Sequence, residues 1–205
     1  GRNINFHFFT ETDKGDISTN YIGIDGTVEE YETENRKVRR FSRIRLQNPK
    51  GDMKYKQPEG TETLPFVTPE ILKTYKKGEK VATLYIVEGE FKAFAMSNFG
   101  LPTFGIGGIH NFKDKKKDNI HPYIIEYCRK CQVNNIVLLF DADCLKVEWK
   151  EDKELTTRLK SFYSALNTFN EYLKPHNITL YFSHIVADSE DKGIDDVLYG
   201  GRADQ

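Results

Sequence analysis

Cysteine, net charge and long hydrophobic runs are all scarce in this sequence, and each shortage removes a class of protein. There are three cysteines in 205 residues, an odd number and too few for a disulfide framework, so free thiols in a reducing cytoplasm are expected. No apolar run approaches the roughly 18–20 residues of a membrane span, and the start, GRNINFHFFTETDK, lacks signal-peptide architecture. Lys and Arg number 30 against 31 Asp and Glu, leaving a formal charge of −1. That balance removes any whole-molecule electrostatic case for nucleic-acid or membrane binding; such a case must be local. No G-x-x-x-x-G-K-[ST] occurs, which excludes a P-loop ATPase.

What is present supports a packed core. Apolar residues make up 38% of the chain, with 14 Phe and 11 Tyr, a composition that argues for a soluble globular protein and against global disorder. The length suits one sizeable domain, or a compact domain carrying a smaller one. Gly1 is expected to be a cloning remnant, and the chain a piece of a longer protein.

Two regimes meet near residue 80. Residues 1–80 are polar, with short alternating stretches broken by Gly and Pro, which reads as small strands and turns without a long amphipathic helix. There an acidic run (Glu29, Glu30, Glu32, Glu34) gives way to a basic one (Arg36, Lys37, Arg39, Arg40, Arg43, Arg45). In an extended segment Arg39, Phe41, Arg43 and Arg45 share one face. Bases can stack on Phe41 while the arginines follow phosphates; the competing reading is an outer strand paired with the acidic run.

From residue 81 the pattern becomes strand, helix, strand, helix. VATLYIV (81–87) and IVLLF (136–140) read as buried strands. Phe91, Phe94, Ala95 and Phe99 follow the first at helical spacing, with Gly100 at a C-cap position. PTFGIGG (102–108) leads into a basic loop, Lys113 to Lys117, and then a helix from Pro122 carrying Ile124, Cys128 and Cys131. Leu155, Leu159, Phe162, Leu166, Phe169 and Leu173 define the clearest amphipathic helix, ended by Lys174-Pro175. ITLYFSHIV (178–186) is the last strand. This alternation predicts a mostly parallel four-stranded sheet flanked by helices, preceded by a small β-rich lobe at 1–80. In such sheets ligands collect at the carboxyl ends of the strands.

Acids stand at those ends. The first buried strand runs out in Glu88-Gly89-Glu90, the third in Asp141-Ala142-Asp143, and the last is followed by Asp188 and Lys192-Gly193-Ile194-Asp195-Asp196. Crowded carboxylates repel unless a cation neutralises them, and hard oxygen ligands suit Mg²⁺ or Mn²⁺. Asp141 and Asp143, two residues apart where a strand ends, can share one ion, and Gly89 lets the chain turn so that Glu88 leans over the same edge. Taken singly, an acid after a strand is more often a helix N-cap or a solvated loop; their order along the chain gives the set its weight.

VEGE (87–90) and FDAD (140–143), with Asp141 standing 53 residues after Glu88, resemble the Toprim domain of bacterial-type primases, topoisomerases and some nucleases. The resemblance covers roughly residues 80–200 and implies a Toprim-like, Rossmann-like α/β fold over 81–205. KGIDD (192–196) is similar to the segment after the last strand in primase-type members, and GEFKA (89–93) and GIGG (105–108) are similar to primase-like proteins of plasmids and phages. The segment Gly51-Asp52-Met53-Lys54-Tyr55-Lys56 resembles the lysine-tyrosine segment before the Toprim part of a primase core. The arginine strand before it is similar to the core's basic strand. Within these 205 residues a primase zinc-binding domain and a helicase-contacting tail are not expected, and no topoisomerase tyrosine domain could fit.

The resemblance implies roles for particular residues. Glu88 would act as general acid/base or shape a metal, Asp141 and Asp143 would hold Mg²⁺ or Mn²⁺, and Asp195 and Asp196 would add carboxylates toward a second metal. Lys92 and the Lys113–Lys117 loop would meet phosphates; a salt bridge with a nearby acid is the plain alternative for Lys92, and a solvated loop for the run from Lys113. His110, beside that loop, is a candidate to face substrate, against the commoner reading of a surface histidine. Arg39, Arg43, Arg45 and Lys54 would bind nucleic acid. The implied activity is primase-like nucleotidyl transfer in replication of a chromosome or mobile element, on single-stranded DNA template and nucleoside triphosphates. Helicase or other domains would belong to the parent protein, and no membrane is involved. A Toprim nuclease and a non-catalytic single-strand binder are the alternatives. GIGG lacks the third glycine of a dinucleotide-binding loop and reads as a tight turn. Cys128-x-x-Cys131 has no second pair at zinc spacing and reads as core.

Overall fold

The computed structural model describes residues 7–51, 53–114, 117–141, 144, 148–150, 153–155, 157–185 and 193–200. The chain divides into two compact units, Gly1–Glu62 and Thr63–Gln205. Short alternating runs between turns make the first unit all β. Strands β1 (Phe9–Glu11), β2 (Ile17–Asn20), β5 (Ser42–Lys50) and β6 (Met53–Lys56) form an antiparallel sheet in the order β1-β2-β5-β6. Strands β3 (Glu30–Glu32) and β4 (Val38–Arg40) make a separate hairpin in which Glu30 stands opposite Arg40. Tyr21, Ile22, Ile24 and Phe41 bury a small core.

In the second unit the continuous apolar runs become a central sheet. Strands β7 (Phe66–Val67), β8 (Thr83–Glu88) and β9 (Thr103–Ile106) come first along the chain, separated by α1 (Pro69–Lys77) and α2 (Glu90–Asn98). A two-residue hairpin, β10 (Lys113–Asp114) with β11 (Asn119–Ile120), leads to α3 (Pro122–Lys130) and β12 (Asn135–Phe140). A second hairpin, β13 (Glu148–Lys150) with β14 (Lys153–Leu155), precedes α4 (Thr157–Leu173), β15 (Thr179–His184) and α5 (Ile194–Tyr199). The sheet order is β15-β12-β8-β9-β7. Four strands are parallel, and β7 pairs antiparallel with β9.

The expected four-stranded sheet is therefore a five-stranded mixed one. Phe66 and Val67 register with Gly105 and Phe104 and are fully buried, so the chain joins this sheet well before residue 80. Helix α1 follows at once: Thr68 heads it, Pro69 occupies a first-turn position, and Gly78 closes it in the left-handed conformation, each favouring a helix end. The last long helix starts at Thr157 rather than at Leu155, which lies in β14.

All four residues of β9 are buried, which requires cover on both faces of the sheet. Leu84, Ile86, Ile136, Leu138 and Phe140 supply the apolar interior, with Ile124 and Tyr127 of α3 and Phe162 and Phe169 of α4. Phe140 meets Phe162 edge-on at 5.6 Å. Each such side chain contributes roughly 1.5–3 kcal/mol through burial. Cys128 and Cys131 are buried free thiols. Desolvation pushes the Cys128 thiol up to about 12, which makes it an inert core residue. Among the described residues, no helix is long and apolar enough to cross a membrane.

Candidate functional site

A sheet interior filled by apolar side chains leaves polar groups to the strand ends, and the carboxyl edge of β8 and β12 gathers them. Val87 registers with Leu139, so Glu88 and Asp141 emerge from adjacent parallel strands within one residue of the same level. Glu88 is exposed and Asp141 partly so. Between β8 and α2 the backbone turns at Gly89, with φ 103°, a conformation that favours glycine. Its N–H donates to Ile106 O at 2.9 Å, tying the turn to β9.

Gly105 serves this turn by having no side chain. A Cβ there would lie 2.9 Å from Gly89 O and 3.1 Å from the Ala93 Cβ. The first glycine of GIGG thus sits inside β9 and permits close packing, rather than making a tight turn.

Lys92, one turn into α2, donates from Nζ to both carboxylate oxygens of Asp141. The two side chains are 21% and 36% exposed. Glu90, absent from the expected site, is 1% exposed in the first turn of α2, where a carboxylate faces the favourable end of the helix dipole. Its signal in the sequence was its place two residues after Glu88. Asp195 and Asp196 open α5, and the Asp196 carboxylate accepts from Gly193 N at 3.1 Å as an N-terminal cap. Asp143, Asp188 and Lys192 lie outside the described residues.

His110 and Lys113 follow β9 but are held toward α4. His110 Nε2 is 3.0 Å from Ser161 Oγ, and Lys113 Nζ lies 5.7 Å from the centre of the Tyr172 ring. Desolvation, then the Lys113 charge, holds the imidazole below its ordinary pKa.

The donor set at the strand ends is made of hard carboxylate oxygens, which fits Mg²⁺ or Mn²⁺ chemically. Among the described residues no group of three His, Cys, Asp or Glu comes together as a metal cage. Glu88 and Asp141 supply two donors, and Lys92 already neutralises the second.

In the first unit the basic segment splits at Phe41. Arg39 belongs to the β3–β4 hairpin, opposite Tyr31, while Arg43 and Arg45 belong to β5. Phe41, expected on the arginine face as a stacking surface, is 2% exposed and meets Tyr21 edge-on at 5.1 Å. The reason is a change of strand partner: its N–H bonds Glu29 O and its carbonyl accepts from Tyr21 N. Tyr55 replaces it beside the arginines. The Arg43 guanidinium carbon lies 4.8 Å from the Tyr55 ring centre, and Arg45 registers with Tyr55. Arg43 is 8% exposed, whereas Arg39, Arg45 and Lys54 are exposed.

A family model described as "Domain of unknown function (DUF3854)" matches residues 75–204, more than half of the chain. The chain is a DUF3854 protein. Its match begins within α1 and takes in every strand from β8 to β15. Two solved structures share the fold of this DUF3854 chain. One is titled "Structure of the DnaG primase catalytic domain bound to ssDNA", with TM-score 0.54 and 13% identity, over 95% of this chain and 54% of that one. The other, "Structure of the DnaG catalytic core", has TM-score 0.54 and 13% identity over 91% and 49%. The DUF3854 chain therefore spans about half the length of these structures, and its fold is similar to the part of them that it covers. No curated protein sequence matches it.

Proposed function

We propose that this chain is the Toprim-containing part of a primase-like nucleotidyltransferase, acting on a single-stranded DNA template and nucleoside triphosphates in replication of a chromosome or mobile element. The observation that carries the reading is the pair Glu88 and Asp141 on adjacent strand ends of a fold similar to the DnaG catalytic core. Glu88, Asp141 and Asp143 would hold one or two Mg²⁺ or Mn²⁺ ions, with Asp195 beside them. A bound divalent ion there supplies charge neutralisation for a triphosphate and for the pyrophosphate that leaves.

The chain's own residues supply the rest of the chemistry. Glu88, exposed and not fixed by a helix, can accept the proton of the attacking 3′ hydroxyl, provided that group lies within hydrogen-bond reach. Lys92 brings one positive charge to the same edge. His110, whose pKa desolvation lowers, and Lys113 would meet phosphates farther along the β9 loop. In the first unit Arg43, Arg45, Arg39 and Lys54 would follow the template backbone, with Tyr55 offering a ring beside them.

The test uses the whole chain with a single-stranded template, nucleoside triphosphates and Mg²⁺ or Mn²⁺. Templated primers are expected from the wild type, with a loss of roughly 100-fold or more in Asp141→Asn and Glu88→Gln, the scale set by losing several kcal/mol of transition-state stabilisation. Unchanged synthesis in both variants would remove the site. Cleavage of the DNA without synthesis would move the assignment to a Toprim nuclease.

A further inference from the structure

We infer that Lys92 is an internal counter-cation for Asp141, which a divalent ion must displace before it can bind that carboxylate. The inference rests on the metal reading above. Lys92 Nζ donates to both oxygens of Asp141, so the ammonium covers the two atoms a metal would use. Both side chains are more than half buried, where opposite charges are screened less than at an open surface.

The end of the lysine lies against the start of α5. Gly193 precedes α5, and a Cβ at that position would lie 2.7 Å from Lys92 Cε and 3.3 Å from Nζ. The Gly193 backbone, at φ −133° and ψ 169°, is extended and open to any residue. A side chain there would press on the movable ends of Lys92 and Asp195, not on backbone. Asp195 Oδ1 comes within 2.6 Å of the same point, so the start of α5, the lysine and the Asp195 carboxylate meet at one place. Helix α5 is held to α2 nearby by Asn98 Nδ2 donating to Tyr199 Oη at 3.2 Å.

A lysine suits displacement. Its ammonium is a compact charge on a flexible four-carbon stem, not a planar fork fixed on the carboxylate. Before a divalent ion binds, it relieves the repulsion between Asp141 and the neighbouring acids. Once the ion is present, like charges repel and the ammonium leaves.

The test reads the lysine itself. The whole chain is treated briefly with an amine-acetylating reagent, and the rates at Lys92 and at exposed Lys76 are followed by mass spectrometry. In EDTA, Lys92 should react at least tenfold more slowly than Lys76. Saturating Mg²⁺, or Asp141→Asn without metal, should raise the Lys92 rate several-fold and leave Lys76 unchanged. Calorimetry run in parallel separates the two ways of failing. Mg²⁺ binding with no change at Lys92 overturns the displacement and leaves the metal site standing. No Mg²⁺ binding, with Asp141→Asn still freeing Lys92, overturns the metal reading and this inference with it. As a second measure, Lys92→Met should bind Mn²⁺ at least threefold more tightly than the wild type; equal or weaker binding overturns the competition.

Discussion

The two units cover their sheets differently, and the difference decides where charge can stand. In the second unit the central strands are largely enclosed, β9 being buried at all four positions and β12 alternating buried with half-buried residues, so ionisable groups collect at the strand ends as Glu88 and Asp141. In the first unit no described helix covers the sheet, and arginines lie along the strands: Arg43 beneath Tyr55, Arg45 out in solvent. A covered sheet concentrates charge into a site, whereas an open sheet spreads it into a surface. The sequence carries the same division, with 15 basic and 13 acidic residues in 1–80 and 15 and 18 in 81–205. The proposed catalytic chemistry accordingly falls in the second unit, and the proposed contact with single-stranded DNA in the first.

The comparison can be broken most forcefully through the second unit's core. Phe104→Ala, in the fully covered β9, should cost about 3–5 kcal/mol; a denaturant melt showing less than about 1 kcal/mol would mean β9 is not so enclosed. Thr74→Val comes next. Thr74 Oγ1 and Tyr127 Oη are 2.7 Å apart in the interior, and burial raises the Tyr127 phenol's pKa. Removing the partner should destabilise the protein by about 1–3 kcal/mol, and Tyr127→Phe on top should recover part of that loss in the same melt.

For the open sheet, Arg45→Ala should weaken single-stranded DNA binding several-fold and flatten its dependence on salt, since an exposed charge is lost. Fluorescence anisotropy at two salt concentrations checks it, and unaltered binding would take the first unit's sheet out of template contact. The smallest effect is expected at His110. Its pKa is depressed in the folded protein, so the unfolded chain binds more protons between the folded value and about 6.5. Stability from this residue is thus complete above about 6.5 and falls as pH drops through the folded value. An NMR titration should place the His110 midpoint below 6.5, and a midpoint at or above it would remove the desolvated environment.

Much of the second unit was legible because hydrophobic period survives where a strand or helix is long. VATLYIV, PTFGIGG, IVLLF and ITLYFSHIV each hold a strand of the sheet, and Ile124, Cys128 and Cys131 are all buried as their spacing implies. Strand β7 was invisible since two residues have no period. Helix α1 lies inside a polar stretch with little periodic signal, although Thr68-Pro69 and Gly78 mark both of its ends. Phe41 departs from the arginine face because alternation holds only within one strand, and the chain exchanges partners at that residue. The link from Lys92 to Asp141 spans 49 residues; crossover geometry creates it, and local pattern carries no trace of such a pair.

The most direct test of the account is the location of the ion. A crystal of the whole chain soaked in millimolar Mn²⁺, measured for anomalous scattering, should show density held by Asp141 with Glu88 or Asp143, with Lys92 swung away. An edge left empty at that concentration, with Lys92 still on Asp141, would contradict it and leave the chain a binding module for single strands.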